Sequence, residues 1–206
     1  MQNLKQELIK KKYKYLFLIT LIILGILSGI ILSNILSYND KKLVSEKIIT
    51  YFNNLKNNEK LDYFTNFFNS FKINIIYFFL LIIFGLSIIG IILNPLILYI
   101  KSLLIGFIFG IMINIYSYSG LLLGLFSIFP HQIINLFVYM IMSYYGIILS
   151  IKLFRLLFFK EQFNINTFRK KYFKIIGMCL IILLISSLYE TFLGDVILKL
   201  FTFLIK

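Results

Sequence analysis

The chain has 206 residues, of which 60% are hydrophobic and only 14% charged, with a mean hydropathy of +0.93. A soluble domain of this length carries more charge and a less apolar surface, so the composition excludes an ordinary globular protein and points to one polytopic membrane domain. The formal net charge of +13 does not indicate nucleic acid. Five lysines precede the first long apolar run and seven basic residues lie between Lys152 and Lys174, so both clusters flank apolar segments and read as orientation signals. Alanine is absent, and Ile, Leu, Phe, Tyr, Lys and Asn dominate, a pattern that fits an AT-rich genome and carries no function.

In chain order, residues 1–14 form a basic cytoplasmic tail, followed by a first span over 15–36. This span is 22 residues long and uncharged, and at ~1.5 Å per residue it covers roughly 33 Å, enough for a hydrocarbon core of about 30 Å. The run exceeds the 7–15 residues typical of a signal-peptide core and lacks a small-x-small site after it, so an uncleaved anchor is expected. Residues 37–72 hold six lysines and four acids. Their apolar residues recur at helical spacing, from Val44 to Leu55 and from Leu61 to Phe71, on either side of an asparagine-rich break. Two short amphipathic helices on the outer membrane surface are expected, as an interfacial linker or a docking surface.

The second span is placed at 73–93 and is ended by Asn94-Pro95, because proline removes a helix donor and disfavours helical geometry in the residue before it. The third span, 96–115, carries Lys101 near its start, within reach of the inner interface by snorkelling. Residues 121–151 would make one helix of ~46 Å, too long for a simple crossing. A broken element is therefore expected there, with a short half-helix, a kink at Pro130 and then a full inward span. Residues 152–172 form the second basic loop, 173–193 the fifth span, and 194–206 an outer tail. The expected fold is all-α, a five-span helical bundle with one broken element, amino terminus in the cytoplasm and carboxyl terminus outside.

Catalytic equipment is scarce. His131 is the only histidine, which excludes a paired-histidine zinc motif, and there is no GxSxG elbow. Glu190 and Asp195 are five apart and share a helix face poorly. Cys179 is the sole cysteine and reads as a buried small hydrophobe. No catalytic, cofactor-binding or metal-ligating residue is therefore assigned. Glu190 reads as interfacial and hydrogen-bonded, remote from Lys101. His131 reads as a structural partner for backbone freed beside Pro130. Gly25 and Gly29, Gly106 and Gly110, and Gly120 and Gly124 are GxxxG pairs that let helix backbones approach closely. They serve internal packing, or in a bolder reading a homo-oligomer. Membrane lipids are expected partners and nucleic acid is not.

The middle of the chain resembles the stage II sporulation protein M family of bacterial membrane proteins. The resemblance rests on Gly85-Leu86-Ser87-Ile88-Ile89-Gly90 and on the run from Lys101 through Gly106 to Gly110. It continues with Ser127-Ile128-Phe129-Pro130-His131 and with Ser150-Ile151-Lys152-Leu153-Phe154-Arg155. Three positions depart from the family pattern. Ser102 and Gln132 stand where many members have glycine, and Asn135 stands near where relatives commonly have an acid. The resemblance implies a non-enzymatic scaffold at the septal or mother-cell membrane in a sporulating cell. It would anchor two peptidoglycan-degrading partners, a lytic transglycosylase and an amidase/endopeptidase. The competing reading is a small transporter or channel subunit, motivated by the broken helix. The sequence argues against it because the spans hold few polar residues besides Asn114, Ser127, Ser143 and Ser186.

Overall fold

The computed structural model describes residues 2–56, 63–160 and 165–194. Among these the chain is helical, with six α-helices and no strand. They are α1 (Gln2–Ile35), α2 (Tyr38–Lys56), α3 (Tyr63–Gly85), α4 (Gly90–Leu123), α5 (Phe129–Phe159) and α6 (Ile165–Tyr189). π-Helical stretches follow α4 at Gly124–Ile128 and α6 at Glu190–Gly194. Five segments are long and apolar enough to cross a membrane: Lys12–Ile35, Tyr63–Gly85, Gly90–Phe126, Phe129–Phe159 and Lys170–Phe192. The fold is an all-α polytopic bundle. The expected tail over 194–206 lies outside the described residues from 195 onward.

The outside of the bundle is apolar. Leu27, Ile31, Ile83, Ile92, Phe137 and Ile181 are each more than half exposed, which places a hydrocarbon surface where lipid would be. The interior holds both an apolar cluster around Leu18, Phe78, Leu81, Leu98, Met142 and Leu183 and a set of polar side chains described below. Charged or polar groups in a membrane protein face the bundle interior because hydrocarbon offers them no partner.

Facing residues give the helix directions. Gly25, Gly29 and Ser33 of α1 meet Ser102, Gly106 and Gly110 of α4, so these two helices run parallel in constant register. Tyr139 of α5 bonds Asn74 of α3, and Ser150 bonds the Gly85 carbonyl, so α3 and α5 are parallel to each other. Lys101 of α4 lies against both Tyr77 and Tyr139, and Ser186 of α6 reaches back to the His131 carbonyl. Hence α1, α4 and α6 point one way and α3 and α5 the other. Lys14 shares a cavity of about 400 Å³ with Ile91, Pro95 and Ile147, and Lys171 lies 5.8 Å from the Tyr145 ring. Both basic segments therefore sit at one end of the bundle, here called the basic end.

The helix boundaries differ from the sequence expectation at three places. The apolar run 61–71, expected as a surface helix, is instead the beginning of α3 from Tyr63 onward, because no breaker separates its phenylalanines from the apolar stretch that follows. The helix break expected at Asn94-Pro95 lies earlier, at 86–89, between Gly85 and Gly90. Pro95 is in the second turn of α4, where few upstream carbonyls are available for it to disrupt. The kink expected at Pro130 is also displaced. Ser117 breaks α4 with φ 50° and ψ −126°. The segment after it folds back on α4, so that Gly120 lies against Met112 and Gly124 against the Phe109 ring. This is the expected short half-helix. It joins α5 through the π-helical stretch, and Leu123, Gly124 and Phe129 keep helical dihedrals. The interruption is a change of hydrogen-bond register, and Pro130, the second residue of α5, follows directly on it, so that the donor proline lacks falls where the ladder is already changing register.

α2 starts with a cap. Ser37 is the N-cap: its hydroxyl oxygen accepts a hydrogen bond from the Asp40 backbone N–H at 3.3 Å and the hydroxyl donates to the Asp40 carboxylate at 2.5 Å. Lys41 donates to the Asn34 carbonyl at 2.8 Å, fastening α2 to the end of α1 at the far end of the bundle.

The α1–α4 contact is the most extensive between any two helices. A Cβ built on Gly25 would sit 2.7 Å from Ser102 Cβ, one on Gly106 2.8 Å from Ile26 Cα, and one on Gly110 2.9 Å from Ser33 Cβ. No side chain fits at these positions without moving the helices apart. Gly106→Leu is expected to cost about 1–3 kcal/mol or more through overpacking. Gly177, with nothing within 4 Å of an added Cβ, is the control, and Gly177→Ala should stabilise by about 1 kcal/mol through helix propensity. The check is the denaturant midpoint in detergent, read by maleimide labelling of the buried Cys179 thiol.

Candidate functional site

The interior between α3, α4, α5 and α6 contains the chain's chemistry-bearing side chains. At the far end, His131 is 4% exposed and its Nε2 lies 3.6 Å from a carboxylate oxygen of Glu190. Ser70 of α3 donates a short hydrogen bond to the other carboxylate oxygen. Ser186 donates to the His131 backbone carbonyl at 3.1 Å. Glu190 is thus hydrogen-bonded, as expected, and lies in the first residue of the π-helical stretch that ends α6. Its pairing with His131 joins residues 59 apart in the chain, a proximity that local spacing does not reveal.

Two turns deeper along α5, the Tyr139 hydroxyl donates toward Asn74, 3.1 Å from its side-chain oxygen and 3.2 Å from its carbonyl. At this level lies Lys101, 6% exposed, with Nζ 4.7 Å from the Tyr77 ring centroid and 5.9 Å from that of Tyr139. Two aromatic faces stabilise a cation at such distances. Lys101 therefore does not snorkel to an interface. α4 starts at Gly90, so Lys101 is about 16 Å along the helix from its beginning at ~1.5 Å per residue. That exceeds the reach of its own side chain. Glu190 forms its ion pair with His131 and not with Lys101.

Toward the basic end the packing tightens around glycine. A Cβ on Gly85 would lie 2.9 Å from Gly146 Cα, and one on Gly90 2.5 Å from Ser150 Oγ. Ser150 donates to the Gly85 carbonyl at 3.2 Å, which satisfies an acceptor left over where α3 ends. Asn94 is fully buried between Gly85 and Gly146. Lys152 and Arg155 follow on α5, Lys152 half-buried and Arg155 exposed.

The polar content of the spans is larger than the sequence reading counted. Ser33, Asn74, Asn94, Ser102, Asn135 and Ser150 are all buried, whereas Asn114 is exposed. The signal was present in the spacing of α5, where His131, Asn135, Tyr139 and Ser143 recur every fourth residue. Among the described residues no group of three His, Cys, Asp or Glu side chains comes together as a metal site would need.

A model of the family described as stage II sporulation protein M matches residues 17–194. That is most of the chain, so the protein belongs to this family, and it is a multi-pass membrane protein of a sporulation-related group. No curated protein and no solved structure matches it.

The two halves of the polar interior should respond differently to substitution. Tyr139→Phe leaves the buried Asn74 side-chain oxygen without its donor and is expected to cost about 1–3 kcal/mol. Glu190→Gln keeps an acceptor for Ser70 at a partly exposed position (33% side-chain exposure), and should cost less than about 1 kcal/mol. Unfolding midpoints in detergent, with Cys179 labelling as the readout, separate the two.

Proposed function

We propose that this chain is a non-enzymatic membrane scaffold of the engulfment machinery, anchoring peptidoglycan-degrading partners at the septal membrane. The partners are a lytic transglycosylase and an amidase/endopeptidase. The observation that carries the reading is family membership across residues 17–194. With the basic end in the cytoplasm by the positive-inside rule, the far end faces the wall, and α2 lies there. α2 is the one long helix among the described residues that is absent from the five membrane-crossing candidates. It is pinned at its start by Ser37 and Lys41, and it presents Leu43, 60% exposed, and Ile49, 38% exposed, with charged residues around them. An exposed amphipathic helix can lie on the membrane interface or seat itself in a partner's groove.

Co-purification from sporulating cells tests the docking surface. A chain carrying Leu43→Asp and Ile49→Asp should insert and fold normally, because neither residue is buried, and should lose recovery of one or both hydrolases. Undiminished recovery of both removes α2 from the interface. A deletion strain tests the function itself. Arrest before completion of engulfment is expected, and normal spores would refute the scaffold.

A further inference from the structure

A stripe of polar side chains runs the length of the buried face of α5. His131, Asn135, Tyr139 and Ser143 follow at intervals of four, and Ser150 continues the line past Gly146. Each of the five polar residues is at most 4% exposed. From His131 to Ser150 the stripe covers about 28 Å at ~1.5 Å per residue, close to the thickness of a bilayer's hydrocarbon core. Ser143, midway along it, is enclosed on all sides.

Two of these residues, and two on the facing helices α4 and α6, have polar atoms with no protein partner. Both side-chain polar atoms of Asn135, both of Asn94, and the hydroxyls of Ser143 and Ser187 are buried without a hydrogen bond. They fall at three levels: Asn135 and Ser187 toward the far end, Ser143 in the middle, Asn94 near the basic end. In a soluble protein a mispaired amide can turn toward solvent, but here the exterior is apolar. Buried polar atoms of this kind are satisfied by water when each water finds two to four partners. Asn135 and Ser143 of the stripe, with Asn94 and Ser187 on the facing helices, are the groups left for water to meet.

Ionisable groups alternate with the unpartnered ones. Glu190 and His131 lie above Asn135, and Lys101 lies between Asn135 and Ser143 in depth, against Tyr77 and Tyr139. Ionisable side chains inside a membrane bundle mark ion or proton pathways. Hydroxyl and water groups can each accept one proton and release another, while the amides of Asn94 and Asn135 orient water by hydrogen bonding and carry no proton themselves.

We propose that water held along the polar stripe of α5 forms a proton relay through the bundle, with the Glu190–His131 pair at its far end and Lys101 at its midpoint. Each step breaks one N–H or O–H bond and forms the next. Lys101 passes between ammonium and amine and Glu190 between carboxylic acid and carboxylate, and every group returns to its starting state, so no co-reactant is consumed. This activity is independent of partner docking on α2.

The test uses the purified full-length chain in liposomes of neutral and anionic phospholipid with a trapped pH-sensitive dye. Potassium is equal on both sides and valinomycin compensates charge. After an external acid jump, the wild-type chain should acidify the lumen several-fold faster than protein-free vesicles. Asn135→Leu should bring the rate close to the protein-free value. Cys179 labelling checks that this variant folds. If it does not fold, Ser143→Ala, which deletes one oxygen, decides the matter and should also slow the flux. Three results overturn the relay: a wild-type rate equal to that of empty vesicles, a potassium leak of matching size without valinomycin, or full wild-type flux in a folded variant.

Discussion

Apolar surface does not draw helices together when the solvent is itself hydrocarbon. The structure meets that constraint by bringing backbones close enough for van der Waals contact to act alone. Along α1 and α4, the triplets Gly25–Gly29–Ser33 and Ser102–Gly106–Gly110 face each other in parallel and in constant register. With no alanine in the chain, glycine and serine are the side chains small enough for this. The register set there has consequences elsewhere. α4 is also the helix that carries Lys101 and Asn94, so its rotation, fixed by α1 on one side, decides which residues it turns toward α3 and α5 on the other. A change that pushes α1 away would therefore disturb the polar interior without touching it.

The interior combines two kinds of contact that a soluble core keeps apart. At the basic end, Gly85, Gly90 and Gly146 let α3, α4 and α5 converge until Ser150 reaches a helix-end carbonyl. At the far end, where α4 is broken at Ser117 and α6 changes register at Glu190, the helices are held by side chains, with Ser70, His131, Ser186 and Glu190 linking α3, α5 and α6. Lys101 lies between the two regimes. A buried cation in a bundle is costly unless compensated. Two tyrosine rings provide compensation of that kind.

The number of membrane-crossing segments and the placement of both basic clusters at one end were legible in the sequence, because lipid imposes long uncharged runs and little else does. Helix ends were less so. Pro95 looked like a terminator and is an early helical residue, whereas the true break lies between two glycines whose role is close packing as well as turning. The half-helix before Pro130 was anticipated from length alone, but Ser117 and the π-helical register carry the interruption, and neither has a strong local signature. The interior polar residues were visible singly and missed collectively. Asn94 was assigned to a turn, Asn74 was not singled out, and Asn135 was noted only as a departure from the family pattern. What joins them is the fourfold spacing on α5, combined with helix directions that bring α3 and α4 onto the same face.

Those directions also bear on why the proposed scaffold should have so polar a centre. A protein that only anchors partners needs a stable bundle, and apolar residues of similar volume would provide it with less risk of unsatisfied groups. Unpaired buried amides at Asn94 and Asn135 run against stability. Real proteins depart from local consistency chiefly where function requires it. The zipper between α1 and α4 contains no comparable conflict, since its serines return their hydroxyls to their own helices, Ser33 to Ile30 and Ser102 to Leu98. The conflict is confined to the face shared by α3, α4, α5 and α6, and that confinement separates the close-packed side of α4 from the side on which the proposed relay rests.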